Sequence, residues 1–224
     1  MGLLDWFRGG TAPHPATAGI PDGGVGVPPV AGTAFPRLTP RATEALRAAE
    51  AHFPPRPVGP HLYADCPHVP REHAQFHLPF LLSQNILWGL GAHLRPARYL
   101  EVGTHHGSSL LALFRGAGEA LAAVTSVDHN PVTQARAEEN LRAAGFTGEG
   151  RFLVGDSHGA VVEGHFDFVY VDGDHSFRGA RDDILRYWER VAPGGWLAVD
   201  NTVDNLLPEC TAEGYTWEGA RRMT

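Results

Sequence analysis

The sequence predicts an α/β chain built on a doubly wound, mainly parallel sheet, and three features carry that reading. Short apolar runs at 97–102, 123–127, 152–154, 166–171 and 196–199 have the length of buried strands. Helical patterns stand between most of them, and such alternation implies a parallel sheet with right-handed crossovers. Nearly every run ends in Gly, Asp or Asn, and ligands of such sheets sit at the carboxyl ends of the strands. With 224 residues, 43% of them hydrophobic, there is room for one such domain and an appendage.

Residues 1–38 read as a flexible leader. Between Gly9 and Pro36 there are 7 Gly and 6 Pro with almost no apolar period, too little to offset the entropy of ordering. Residues 39–77 form a helical cap segment. Thr39-Pro40 opens a helix through Ala51, with Thr as N-cap and Pro in the first turn, and Pro54, Pro55, Pro57 and Pro60 end it. Residues 78–224 form the main domain. Its first helix runs over 77–90, with Leu82, Ile86 and Leu90 on one stripe. A helix over 108–114 follows the first strand. Asn130-Pro131 starts another, which Gly145 stops. Ile184, Trp188 and Val191 mark the apolar stripe of a last helix, terminated by Pro193-Gly194-Gly195.

The net charge of −7 disfavours a nucleic-acid surface. Cys66 and Cys210 give neither a disulfide framework nor a metal knuckle and read as reduced thiols. No apolar run approaches the ~18 residues of a membrane span, and the start lacks the basic region of a signal peptide. A cytoplasmic chain without a membrane partner is expected. Most of the 13 His are scattered singly, as surface or satisfied positions are.

The strand ends hold the chemistry. The first leads into Glu101-Val102-Gly103-Thr104-His105-His106-Gly107-Ser108-Ser109, where glycines four apart allow a sharp turn and the helix start offers free N–H groups. It is not G-x-G-x-x-G, which disfavours a dinucleotide. The second ends at Asp128, placed either to bind ribose hydroxyls or to cap the next helix. The third ends at Gly155-Asp156, the fourth at Asp172-Gly173-Asp174-His175 and the fifth at Asp200-Asn201. Asp172, Asp200 and the Asn201 amide oxygen form a set of hard ligands suited to Mg²⁺, and like charges this close call for a cation. Singly, Asp174 would cap the helix that follows and Asp200 would begin a turn.

In this order, Glu101-x-Gly103-x-x-x-Gly107-x-Ser109, Asp128, Gly155-Asp156, Asp172-Gly-Asp-His175 and Pro193-Gly-Gly…Asp200-Asn201-Thr202 resemble the class I S-adenosylmethionine-dependent methyltransferases. More narrowly they resemble the metal-dependent O-methyltransferases. The Asp-Gly-Asp-His element is similar to the branch acting on sugar hydroxyls of antibiotics, and Asp-Asn-Thr to the catechol and caffeoyl-coenzyme A branch. The resemblance covers roughly residues 78–201 and implies a Rossmann-like methyltransferase sheet. It also implies that Glu101, Gly103, Thr104 and Gly107 shape the loop around the methionine part of S-adenosylmethionine, with Ser109 beside it. Asp128 would hold the ribose and Asp156 would lie near the adenine. Asp172, Asp200 and Asn201 would bind Mg²⁺, and His175 would be the general base with Asp174 as second choice. No Lys stands near that position, which favours His175. The implied partner is a small hydroxylated acceptor, a sugar, polyphenol or similar natural product.

The family's sheet normally continues with a helix and an antiparallel pair, for which 202–224 leave no room. The expectation is a truncated chain or an edge completed by another copy. Three other readings stand beside the enzyme: an inactive S-adenosylmethionine-binding fragment or scaffold, an NAD-dependent oxidoreductase, and a nucleic-acid amino-methyltransferase. The last two are disfavoured by the absent glycine fingerprint, the absent Asn-Pro-Pro-aromatic element and the acidic balance.

Overall fold

The computed structural model describes residues 39–54, 66–68, 78–174 and 177–200. Five strands, β1 (Arg98–Val102), β2 (Ala123–Asp128), β3 (Glu149–Val154), β4 (Phe166–Val171) and β5 (Val191–Val199), make one sheet. Its order is β3-β2-β1-β4-β5 with every pairing parallel. The chain starts in the middle, winds outward to β3, then returns to build β4 and β5 on the other side. Strand order therefore reverses between β1 and β4, which makes that edge the topological switch point. The doubly wound α/β fold with a parallel sheet, read from the alternation, is the fold observed. The leader 1–38, the C-terminal 201–224 and the expected lack of an antiparallel pair lie outside the described residues.

Helices α1 (Pro40–Glu50), α2 (Leu78–Leu94), α3 (Ser108–Ala117) and α4 (Pro131–Ala143) cover one face. Their core holds Leu87, Leu90, Leu110, Leu113 and Leu141 against Tyr99 and Phe168. Helix α5 (Phe177–Trp188) covers the other face, where Tyr187 packs with Leu100, Val127, Val169 and Val171. Thr39 caps α1 as expected, its Oγ1 accepting the Ala42 N–H at 3.1 Å. Asn130 caps α4, its Oδ1 accepting the Val132 N–H at 2.9 Å.

Two expectations are corrected. The apolar stripe of α5 is not Ile184, Trp188 and Val191: Trp188 is 63% exposed and Val191 already belongs to β5. The buried face is Ala180, Asp183 and Tyr187. A carboxylate at the centre of that face makes it look like solvent surface by composition. Pro193-Gly194-Gly195 does not stop the helix, which ends at Trp188, but lies within β5. Phe166 pairs with Val191 and Phe168 with Trp196, so β5 starts early and bulges over 192–195. Gly194, at φ +80°, turns the bulge. The Arg41 guanidinium covers Trp196 at 4.1 Å and donates to the Gly194 carbonyl, so α1 docks there.

Helices α2 and α3 approach closely because Gly91 and Gly116 face each other's backbones. A Cβ on Gly116 would lie 2.0 Å from the Trp88 carbonyl oxygen. Gly116→Ala gains up to ~1 kcal/mol of helix propensity but forces two backbones apart, which costs about 1–3 kcal/mol or more. The net expectation is a lower urea midpoint with an unchanged m value; an equal or higher midpoint would contradict this packing.

Candidate functional site at the switch point

The strand ends are tied by four hydrogen bonds that run the length of the carboxyl edge. The Gly155 N–H donates to Asp128 O (2.9 Å), Gly103 to Val127 O (2.8 Å), Asp172 to Val102 O (2.8 Å) and Asp200 to Val171 O (3.0 Å). Asp128, Asp156, Asp172, Asp174 and Asp200 thus all follow from this edge. Gly103 stands at its centre with φ +85°. A Cβ there would meet the Asp172 carbonyl oxygen at 2.0 Å, so only glycine allows both the turn and the approach of the two loops. Gly107, at φ +82°, is the N-cap of α3 and supplies no side-chain cap. No side chain caps the first-turn amides of α3, a favourable position for an anionic group.

Asp128 is buried, and its carboxylate organises the first loop. Oδ2 accepts the His105 N–H at 2.7 Å. Oδ1 accepts the Asn130 N–H at 2.8 Å and the Thr133 hydroxyl at 3.3 Å. A carboxylate offers about four lone-pair directions, so one remains on Oδ2. Capping and ligand binding, alternatives in the sequence, are compatible here. His105 holds φ +49°, unusual for a side chain of this size. His106 is buried beside it, its Nε2 accepting from Arg136 at 3.3 Å and its Nδ1 lying 2.8 Å from His105 Nδ1. The arginine can only donate, so His106 carries its proton on Nδ1 and donates it to His105.

Thr104 and Ser109 turn inward. Thr104 Oγ1 lies 2.6 Å from Ser126 Oγ, which donates to Gln134 Oε1 at 2.9 Å. The Gln134 amide reaches the Ser126 and Leu153 carbonyls at 2.9 and 3.0 Å. The Asn140 amide, also buried, donates to His106 O at 2.9 Å. The sequence reading passed over Gln134, Asn140 and Arg136. The signal for Gln134 and Asn140 is the spacing of Thr133, Gln134, Ala137, Asn140 and Leu141, a buried helix face on which three of the five residues are polar; exposed Arg136 leaves none.

Ser109 donates its hydroxyl to Glu101 Oε1. Glu101 is fully buried, and its Oε2 makes no hydrogen bond. Burial dominates and pushes its carboxyl up to about 8, with Asp128 adding repulsion and the Ser109 and Tyr99 hydroxyls opposing. Asp172 and Asp200 approach Tyr170 from neighbouring strand ends. The Tyr170 hydroxyl donates to Asp200 Oδ2 at 2.7 Å. Burial first, then the charges of Asp200 and Asp172, hold that phenol well above its usual range. Two carboxylates that follow adjacent strands thus act on one phenol, and carboxylate oxygens are the donor type that suits a divalent cation. Among the described residues no cluster of three or more acidic, His or Cys groups closes on one point; the third expected ligand, Asn201, lies outside them, as does His175. Asp174 packs its carboxylate against Gly179 in the first turn of α5. Asp156 is 74% exposed and turns the loop after β3 by accepting the His158 N–H at 2.9 Å. A separate hollow of about 210 Å³ lies at the opposite, amino edge between Leu94 and Trp196. Its Asp167 already accepts the Ala97 and Arg98 N–H groups at 2.9 Å.

The raised Glu101 carboxyl has a consequence for stability. The folded chain holds this proton up to about pH 8, the unfolded chain only to about 4.5, so rising pH across that window destabilises the fold. Glu101→Gln removes the dependence. Between pH 5 and 8.5 the unfolding free energy of the variant should gain on that of the wild type by on the order of 3–5 kcal/mol. Parallel pH profiles would show that Glu101 is ionised throughout.

Residues 100–202, which include Glu101, Asp128, Asp156, Asp172 and Asp200, match a family model described as a methyltransferase domain. No curated protein matches the chain. Among solved structures, the methyltransferase PaMTH1 of Podospora anserina, bound to SAH, shares 18% identity and a TM-score of 0.57, over 84% of this chain and 85% of that one. Cofactor-bound Rv0187 from MTB shares 24% identity and a TM-score of 0.51, over 82% and 75%. The core has the Rossmann-like methyltransferase fold.

Proposed function

We propose, on the premise of a methyltransferase domain over residues 100–202, that this chain transfers a methyl group from S-adenosylmethionine to a hydroxyl of a small molecule, with Mg²⁺ assisting. The acceptor class is a sugar, polyphenol or similar natural product. One observation carries the reading: the open helix start after Gly107, the Asp128 carboxylate and the acids Asp172 and Asp200 meet at one switch-point edge.

The chain's residues divide the work along that edge. The first-turn amides of α3 would take the methionine carboxylate, with Glu101, Gly103, Thr104 and Ser109 fixing the loop from beneath. Asp128 would accept a ribose hydroxyl on the free direction of Oδ2, and Asp156 would border the adenine. Asp172, Asp200 and Asn201 would hold the metal. Bound there, a divalent ion supplies charge that lowers the pKa of an acceptor hydroxyl and fixes its approach. His175 would take the proton, a role typically worth ~10²–10⁴-fold. Asp174 is the second choice for that base, its packing on Gly179 favouring a capping role.

Calorimetric titration of S-adenosylhomocysteine, with and without Mg²⁺, tests the reading. Micromolar binding is expected, weakened ~5–150-fold by Asp128→Ala through loss of a charge-assisted bond of about 1–3 kcal/mol. A folded, monodisperse sample that binds nothing sinks the proposal. Asp172→Ala should keep the affinity within about threefold yet lose turnover in a screen of vicinal-diol acceptors, because it removes a metal ligand rather than a cofactor contact. Normal turnover in that variant would remove Asp172 from the metal site.

A further inference from the structure

On the face of the sheet opposite Glu101, a second buried acid lies behind the site. Asp183 of α5 has no exposed side-chain surface, and neither carboxylate oxygen makes a well-formed hydrogen bond. Its Oδ2 sits behind Gly173, where a Cβ would come within 2.9 Å of it. Three polar groups face it: the backbone N–H of Asp174, the Ser157 hydroxyl and His158 Nε2, the last 3.5 Å from Oδ1. His158 continues outward, its Nδ1 lying 3.2 Å from Asp156 Oδ1 and its Nε2 3.4 Å from the Gly179 carbonyl. The Tyr187 hydroxyl, one turn along α5, donates to the Ser157 carbonyl at 2.7 Å.

We propose that Asp183 is a positioning residue, whose carboxylate anchors the 172–174 segment after β4 and, through His158, locks it to the 156–158 turn after β3. The segment's importance rests on the function proposed above; the anchoring itself does not. An acid is a poor choice for plain packing, because an apolar side chain of similar volume avoids its desolvation cost. Burial raises the Asp183 carboxyl, with Asp174 adding repulsion and Ser157, His158 and the Asp174 amide opposing. What the carboxylate supplies is direction. It points one acceptor group at two segments that are distant in sequence, 156–158 and 172–174, which together carry Asp156, Asp172 and Asp174. Gly173 is the matching element, since any side chain there would displace the carboxylate from the loop. Asp183 touches no reacting atom and acts through the loop it holds.

Hydrogen exchange of the full chain tests this, with Asp183→Asn as the variant that keeps volume and His158→Gln as a second. In Asp183→Asn the amides of Asp172, Gly173 and Asp174 and those of 156–158 should exchange at least ~10-fold faster, while β1 and α3 keep their protection. His158→Gln should loosen the same two segments to a lesser degree. Unchanged exchange there, or acceleration spread evenly over the sheet, overturns the proposal and leaves Asp183 as an ordinary core position. Titrations separate it from the functional reading. Mg²⁺ affinity should fall ~10-fold in Asp183→Asn and SAH affinity stay within about twofold. A wild type that binds neither defeats the methyltransferase reading alone, and the exchange result still decides on Asp183.

Discussion

The contact between Gly103 and the Asp172 carbonyl is the constraint on which the rest of the edge depends. Strands β1 and β4 are neighbours in the sheet but far apart in the chain, and beyond their last residues each must turn away. They turn against each other, with the Asp172 N–H on the Val102 carbonyl, the Gly103 N–H on the Val127 carbonyl and the Gly103 Cα against the Asp172 carbonyl. A methyl group at position 103 would fill that contact. The loops would then separate, and the acids after β4 would lose their register with the loop after β1.

Around that contact the chain buries a large amount of polarity. Glu101, Thr104, Ser126, Gln134, Asn140 and Asp183 are all nearly inaccessible, and an apolar core of equal volume would spare their desolvation. On the α4 side almost every group is satisfied, and such a string fixes one arrangement of loops rather than several. Glu101 and Asp183 are the exceptions, each with at least one oxygen lacking a hydrogen bond. They lie on opposite faces, one beneath the first loop and the other behind the 172–174 segment. Local strain or cost that persists at a ligand crevice is the pattern expected where geometry serves a function more than stability.

Much of this was legible in the sequence. Every strand was placed, because parallel strands covered on both faces read as plain apolar runs. The caps of α1 and α4 followed from Thr39-Pro40 and Asn130-Pro131. The acids after the strands were visible because the topology brings strand ends together whatever lies between them. What failed did so for a common reason. The α5 stripe differs from the expected one because Asp183 is an acid at a fully buried position of its helix, and no apolar signal in the sequence singled out Gln134 or Asn140. Period and composition report which residues prefer water. They do not report which polar groups find partners in the interior. Gly91 and Gly116 were silent in the same way, since close helix approach leaves no mark in an apolar count.

The proposed ligand crevice is the carboxyl edge at the β1/β4 switch. Amide chemical shifts of the ¹⁵N-labelled chain, followed during addition of S-adenosylhomocysteine, test it directly. The largest changes should fall on Gly103, His105, Gly107, Ser108, Ser109 and Asp128, with smaller ones at Gly155 and Asp156. Changes concentrated instead around Arg95, Asp167 and Trp196, at the amino edge, would contradict it.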